Sequence, residues 1–172
     1  GNYVQPISGK EMKKIILAII AGIIPLVLPA ASTDFWFRHF SVEDGLSSNS
    51  VRAIMQDKYG FMWLGTDDGL NRYDGTTIKV YNLNPQGSND YISSLYDTTD
   101  NIWVGTEGGV YIFDYETESF ELFKVLTAQG DSIKSNVNHI AEDRDGNLWF
   151  STVGQGIFKY NISKHYLEHY EF

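Results

Sequence analysis

The chain has 172 residues, 42% hydrophobic and 15% aromatic, enough for one globular domain with a buried core and too apolar for disorder over most of its length. It has no cysteine, which excludes disulfides, zinc–thiolate sites and thiol nucleophiles. Its formal charge of −9 repels phosphate backbones and argues against nucleic-acid binding by this segment.

Residues 1–11, GNYVQPISGKE, precede Met12, match no targeting pattern and read as a non-native or upstream segment. Residues 12–32, MKKIILAIIAGIIPLVLPAAS, place Lys13 and Lys14 before an apolar run that ends at Pro29 and small residues, the layout of a secretory signal peptide. The run covers residues 15–28, short of the roughly 20 residues that span a bilayer. Export, with cleavage between residues 30 and 33, is therefore expected. Residues 34–40, DFWFRHF, read as a lone strand that closes the ring of a repeat protein.

From Val51 onward the chain repeats itself. Three units begin at Val51, Ile92 and Val137, each with a second apolar residue three places on (Ile54, Leu95, Ile140) and then an aspartate (Asp57, Asp97, Asp143). A turn follows, then Trp63, Trp103 and Trp149 in the frame W-x-[GS]-T, 40 and 46 residues apart. Such spacing falls in the window of about 40–50 residues expected for four-stranded propeller blades. In the first unit the four strands are placed at 51–56, 61–66, 69–73 and 77–81, with Asp74-Gly75 as a hairpin turn. Gly65 and Gly105 leave room for close backbone approach while the indoles fill the space between sheets. Trp63, Gly65, Thr66, Trp103, Gly105, Thr106, Trp149 and Thr152 are thus read as structural repeat positions. The predicted fold is all-β: about three blades, at 50–82, 91–124 and 136–172, of an incomplete seven-bladed propeller within residues 33–172.

The segment SVEDGLSSNSVRAIMQDKYGFMWLGTDDGLNRYDG resembles the two-component regulator propeller repeat, whose pattern is DGL-S-x-N-x-V followed by D-x-x-G-x-[LIM]-W-x-G-T and G-L-[NS]-[RK]-[YF]-[DN]. Later units depart from it: DTTDN lacks the turn glycine, and Ser151 replaces a glycine. The resemblance implies a periplasmic sensor region of a hybrid two-component system sensor histidine kinase or regulator, non-enzymatic in this segment. In that family two seven-bladed propellers precede a β-sandwich, a membrane helix, a kinase core, a receiver and a DNA-binding tail. The partners it implies are an oligosaccharide ligand, the missing blades, the downstream sensor and kinase domains, and a second copy in a homodimer, with the whole protein anchored in the inner membrane. An exported propeller enzyme acting on carbohydrate and a protein-binding propeller are the rival readings.

DRDGN at 143–147 invites a calcium reading, but an EF-hand count from Asp143 places Leu148 and Gly154 where glycine and glutamate belong. No metal or cofactor is expected, and no catalytic residue either, since the acidic residues recur at turn positions. His165 and His169 read as surface histidines on a turn and strand, without a third ligand. Alternation of strand direction gathers the second-to-third strand turns and the blade-to-blade connections at one end. The connections at 82–90 and 125–136 are the longest. Loops on a rigid scaffold carry most binding sites, which makes Asn49, Arg52, Asp67, Asp68, Asn71, Glu107, Asn136, Asn138 and Gln155 the candidates for touching a glycan.

Overall fold

The computed structural model describes residues 8–14, 36–83 and 91–171. They fall in two units, Gly1–Arg38 and His39–Phe172. In the first, residues 9–14 are helical, with Lys14 paired to Glu11 at 2.9 Å, and Trp36 and Phe37 are exposed. Residues 15–32, most of the expected signal peptide, lie outside the described residues. Among the described residues no helix is long and apolar enough to cross a membrane.

The second unit holds three four-stranded antiparallel sheets, each a simple meander: β1 (Val51–Gln56), β2 (Met62–Thr66), β3 (Gly69–Tyr73) and β4 (Ile78–Tyr81); β5 (Ile92–Asp97), β6 (Asn101–Thr106), β7 (Gly109–Asp114) and β8 (Ser119–Leu122); β9 (Val137–Glu142), β10 (Asn147–Thr152), β11 (Ile157–Asn161) and β12 (Tyr166–Tyr170). The first strands stand side by side, β1 beside β5 and β5 beside β9. Of the strand expected at 34–40, residues 36–40 are described. They pair with none of the three described sheets, each of which holds its own four consecutive strands, and Phe40 meets Tyr73 edge-on at 4.8 Å.

Period-two alternation assembles the core. On β6, Ile102 and Val104 face the first sheet, packing with Trp63, Leu70, Tyr81, Ile92 and Phe113. Trp103, between them in sequence, faces the third sheet and packs with Phe123, Ile140, Phe150, Phe158 and Leu167. The β6 strand is therefore buried on both faces, with polar side chains only at its two ends, Asn101 and Thr106. The three tryptophans occupy one register position: Trp63 opposite Met55, Trp103 opposite Tyr96, Trp149 opposite Ala141. Trp63 and Trp103 are buried. Trp149 is only half-buried, stacked on Tyr170 at 5.8 Å with the Lys159 ammonium 5.3 Å from its ring.

The repeat glycines answer to the neighbouring sheet. A Cβ on Gly65 would stand 2.5 Å from Cγ2 of Ile92, and one on Gly105 would stand 2.8 Å from the Val137 carbonyl oxygen. Both are places where β5 and β9 press against the preceding sheet, so any side chain would wedge the joint open. The threonine of each W-x-[GS]-T frame closes the next turn, with Thr66, Thr106 and Thr152 hydroxyls donating to the carbonyls of Gly69, Gly109 and Gly156 at 2.9, 3.0 and 2.8 Å.

Candidate functional site

Each inner strand breaks register at its second residue. Val51 pairs with Thr66 and Ala53 with Gly65; Ile92 pairs with Thr106 and Ser94 with Gly105; Val137 pairs with Thr152 and His139 with Ser151. Arg52, Ser93 and Asn138 are thus the extra residues of three equivalent β-bulges. A bulge re-aims the side chain of its unmatched residue and commonly sits beside a functional site. The residue ahead of each strand is fixed too: the Ser50, Tyr91 and Asn136 carbonyls accept from the amides of Asp67, Glu107 and Val153 at 3.1, 3.2 and 2.8 Å. One backbone frame, repeated three times, so presents three rows of side chains at the same end of the sheets.

What fills the frame differs from sheet to sheet. On the first, Arg52 donates to Asp67 twice, Nε to Oδ1 at 2.6 Å and Nη2 to Oδ2 at 3.1 Å, and its guanidinium lies 5.6 Å from the Tyr91 ring centre. The hydrogen bond from Arg52 holds the Asp67 carboxyl below its usual range, and Asp67 in turn raises Arg52. On the second, the Ser93 and Ser94 hydroxyls both donate to the Val137 carbonyl, at 2.8 and 2.7 Å, stitching sheet two to sheet three. Glu107 stands exposed. On the third, Asn138 is exposed, and Asn136 is half-buried with its Oδ1 out of solvent and lacking a donor among the described residues.

The nine candidates separate accordingly. Asn71 is a correction: it is fully buried, its Nδ2 donating to Ser47 Oγ at 2.8 Å and the Leu64 carbonyl at 3.1 Å while its Oδ1 accepts from the Ser47 amide at 2.9 Å. Such an amide ties the lead-in segment to the sheet and has nothing left for a ligand. Gln155 is spent in the same manner, accepting from the Lys134 amide at 2.9 Å and donating to the Ser132 carbonyl at 3.2 Å. Asn49 accepts from the Val42 amide at 2.9 Å and steadies the short 3-10 turn Val42–Asp44. Arg52, Asp67, Asp68, Glu107 and Asn138 keep accessible polar groups, and Asn136 sits beneath them. Tyr91 and Ser93 were missed, because a bulge is a cross-strand property. Its trace in the sequence is a polar second residue in VRA, ISS and VNH.

Elsewhere the polar groups are occupied by the turns. Asp143 accepts from the Asp145 and Asn147 amides at 2.9 Å each and from the Trp149 indole at 2.8 Å, which together hold its carboxyl far below the usual range, the indole contributing most. Its oxygens therefore serve the turn. Among the described residues no cluster of three or more histidines and carboxylates could hold a metal. A hollow of about 380 Å³ at the opposite end of the second sheet is lined by Asn101, Ile112, Asp114, Thr117, Ser119 and Glu121, and none of the nine candidates reaches it.

Residues 45–68 and 132–154 match the two component regulator propeller family. Over 70 residues the chain is 46% identical to Histidine kinase P4 of Formosa agariphila, a stretch that covers 41% of this chain and 5% of that protein. The extracellular domain of a hybrid two component system from B. thetaiotaomicron shares 32% identity at a TM-score of 0.69, over 78% of this chain and 20% of that one. The extracellular domain of a one component system from the same organism matches at 23% identity and a TM-score of 0.65, over 76% of this chain and 18% of that one, and shows the fold alone. The chain thus spans about a fifth of the solved structures it resembles and a far smaller part of the kinase. Both matched segments run through the bulge and the Asp–Trp turn, one in the first sheet and one in the third, and on that ground the chain carries two-component regulator propeller repeats.

Proposed function

We propose that this chain is part of the exported, ligand-sensing propeller of a two-component regulator, and that it takes an oligosaccharide at the end carrying Arg52, Asp67, Tyr91, Glu107 and Asn138. The observation that carries the reading is the threefold bulge frame on repeats of this family. It offers an aromatic ring, a bidentate Arg–Asp pair and an uncommitted amide on three adjacent sheets, the kinds of groups that hold a sugar's rings and hydroxyls. The chemistry favours binding over cleavage. Asp67 is committed to a bidentate pair with Arg52, which lowers its pKa and unfits it for the general-acid role that glycoside cleavage requires.

Sensing then follows from geometry. A ligand that bridges sheets joined through Ser93, Ser94 and Val137 stabilises one packing of those sheets over another, and the bias passes to whatever the propeller is docked against. Export fits this role, with residues 12–32 removed and N-terminal sequencing of exported protein beginning between residues 31 and 34. Titration calorimetry of the whole sensory region against a panel of oligosaccharides tests the reading. Binding weakened about tenfold or more by Asn138→Ala and Arg52→Ala, with the sugar recovered intact, supports it, tenfold being the loss of one good polar contact. A cleaved sugar, or binding indifferent to both substitutions, overturns it.

A further inference from the structure

The 123–136 connection between the second and third sheets is long, yet tightly held. Thr127 makes a lone parallel bridge with Leu167 on β12, and its amide donates to the Asp131 carbonyl at 2.9 Å while the Asp131 amide donates to Thr127 Oγ1 at 3.0 Å. Gln155 clamps the Ser132 carbonyl and the Lys134 amide, and Ile133 is buried. At the centre of this knot is His169 of β12, its side chain only 9% exposed and its ring parallel to Phe158 at 4.0 Å. Nε2 meets the Gln155 carbonyl, and Nδ1 stands 3.6 Å from Asp131 Oδ2 and 3.7 Å from Glu171 Oε1.

The tautomer follows from the partners. A carbonyl only accepts, so Nε2 carries a proton in either charge state. In the neutral ring Nδ1 then turns a lone pair toward two carboxylates. In the cation the same atom turns an N–H toward them, and the charged ring also lies flat on an aromatic face. Asp131 and Glu171 are the charged groups within 4.0 Å of the ring nitrogens among the described residues, one on the connection and one just past β12. Phe158 on β11 and the Gln155 carbonyl at the β10–β11 turn complete the surroundings.

We propose that His169 is a proton-operated latch: its protonation ties Asp131, and with it the 127–135 stretch of the connection, to the third sheet, and its deprotonation loosens that stretch. The imidazolium turns an N–H to the carboxylates and the neutral ring does not, so the tie is stronger in acid and weaker as pH rises. Asn136 and the third bulge lie just beyond the latched stretch, which gives the candidate ligand end a link to ambient pH. The proposal needs no assumption about the ligand and stands or falls separately from the sensor reading.

Hydrogen exchange on the intact chain at pH 5.5 and 7.5, corrected for the intrinsic rates, tests it. The amides of Thr127, Gly130, Asp131 and Lys134 are expected to exchange about two- to fivefold more slowly at the lower pH, the range a single partly exposed ion pair supplies. His169→Gln, which keeps a donor for the Gln155 carbonyl, should abolish the difference while the β10 and β11 amides stay unchanged. Asp131→Asn, whose side chain is half exposed, tests the same tie without touching the packed ring and should remove most of the difference. A native connection with no pH difference overturns the latch, as does a difference that persists in His169→Gln or is undiminished in Asp131→Asn.

Discussion

The first and third sheets close their opening hairpin in one manner and the second in another. In the first, Asp57 accepts from the amides of Tyr59 and Phe61 at 2.9 Å each and from the Trp63 indole at 2.7 Å. Asp143 and Trp149 repeat that arrangement six residues apart, and each turn has a glycine, Gly60 or Gly146, at positive φ. In the second sheet Asp100 stands where the glycine would be, and the hairpin tightens: Asp97 pairs with Ile102 as part of the strand, and the turn is closed by Thr98 and Asn101. One residue of register reverses the face on which an aspartate projects. Asp97 accordingly turns to the first sheet, accepting from the Lys58 amide at 3.0 Å and the Tyr115 hydroxyl at 3.2 Å, and the buried Trp103 indole N–H has no acceptor among the described residues. A local bond has been exchanged for a bond between sheets. The two segments that match the family, 45–68 and 132–154, are those whose turns carry the Asp–Trp bond.

The difference can be broken open by substitution. Trp63→Ala should have the largest effect, about 3–5 kcal/mol of unfolding free energy by urea titration, as large buried aromatics do. Trp149→Ala should cost less, about 1–3 kcal/mol, because that indole is only half-buried. Asp57→Ala falls between those two at about 2–4 kcal/mol, since it orphans one buried indole and two turn amides. The indole N–H separates the sheets most cleanly. Trp63→Phe forfeits a hydrogen bond to a carboxylate, about 1.5–3 kcal/mol, whereas Trp103→Phe deletes a donor that has no partner and should stay within about 1 kcal/mol of the native chain. Equal losses for the two would mean that Trp103 is satisfied after all.

Acid should produce a smaller, graded effect. Asp143 is depressed chiefly by the Trp149 indole, and Asp74 is held at about 2 by the Thr77 and Thr76 amides. Carboxyls whose folded pKa lies below the unfolded one contribute stability that is present above about pH 4 and lost as pH falls through the lowered values. The urea midpoint should therefore drop between pH 4 and 2, with a shallower drop in Asp143→Asn.

Much of the fold was legible because its signals are local. The W-x-[GS]-T frame marks a strand whose indole enters a joint, and Asp-Gly pairs mark turns; the predicted strands of the first unit differ from β1–β4 by at most one residue at any end. The missing glycine of DTTDN was visible too, but its consequence was not, because the destination of Asp97 depends on a neighbour 39 residues away at Lys58. The surroundings of single site residues are non-local in the same way. Asn71 follows a turn and reads as a loop polar group, yet the lead-in segment folds over it and buries it. Ser93 reads as an ordinary strand residue until its cross-strand register shows it to be the odd residue of a bulge.

Where the ligand sits is best decided by hydrogen-exchange footprinting of the whole sensory region, with and without the oligosaccharide that binds it. Protection confined to residues 50–53, 91–94 and 136–139, the three bulges and the residues ahead of them, is the predicted result. Protection around Asn101, Asp114 and Glu121 at the opposite end, with the bulges unchanged, would contradict it.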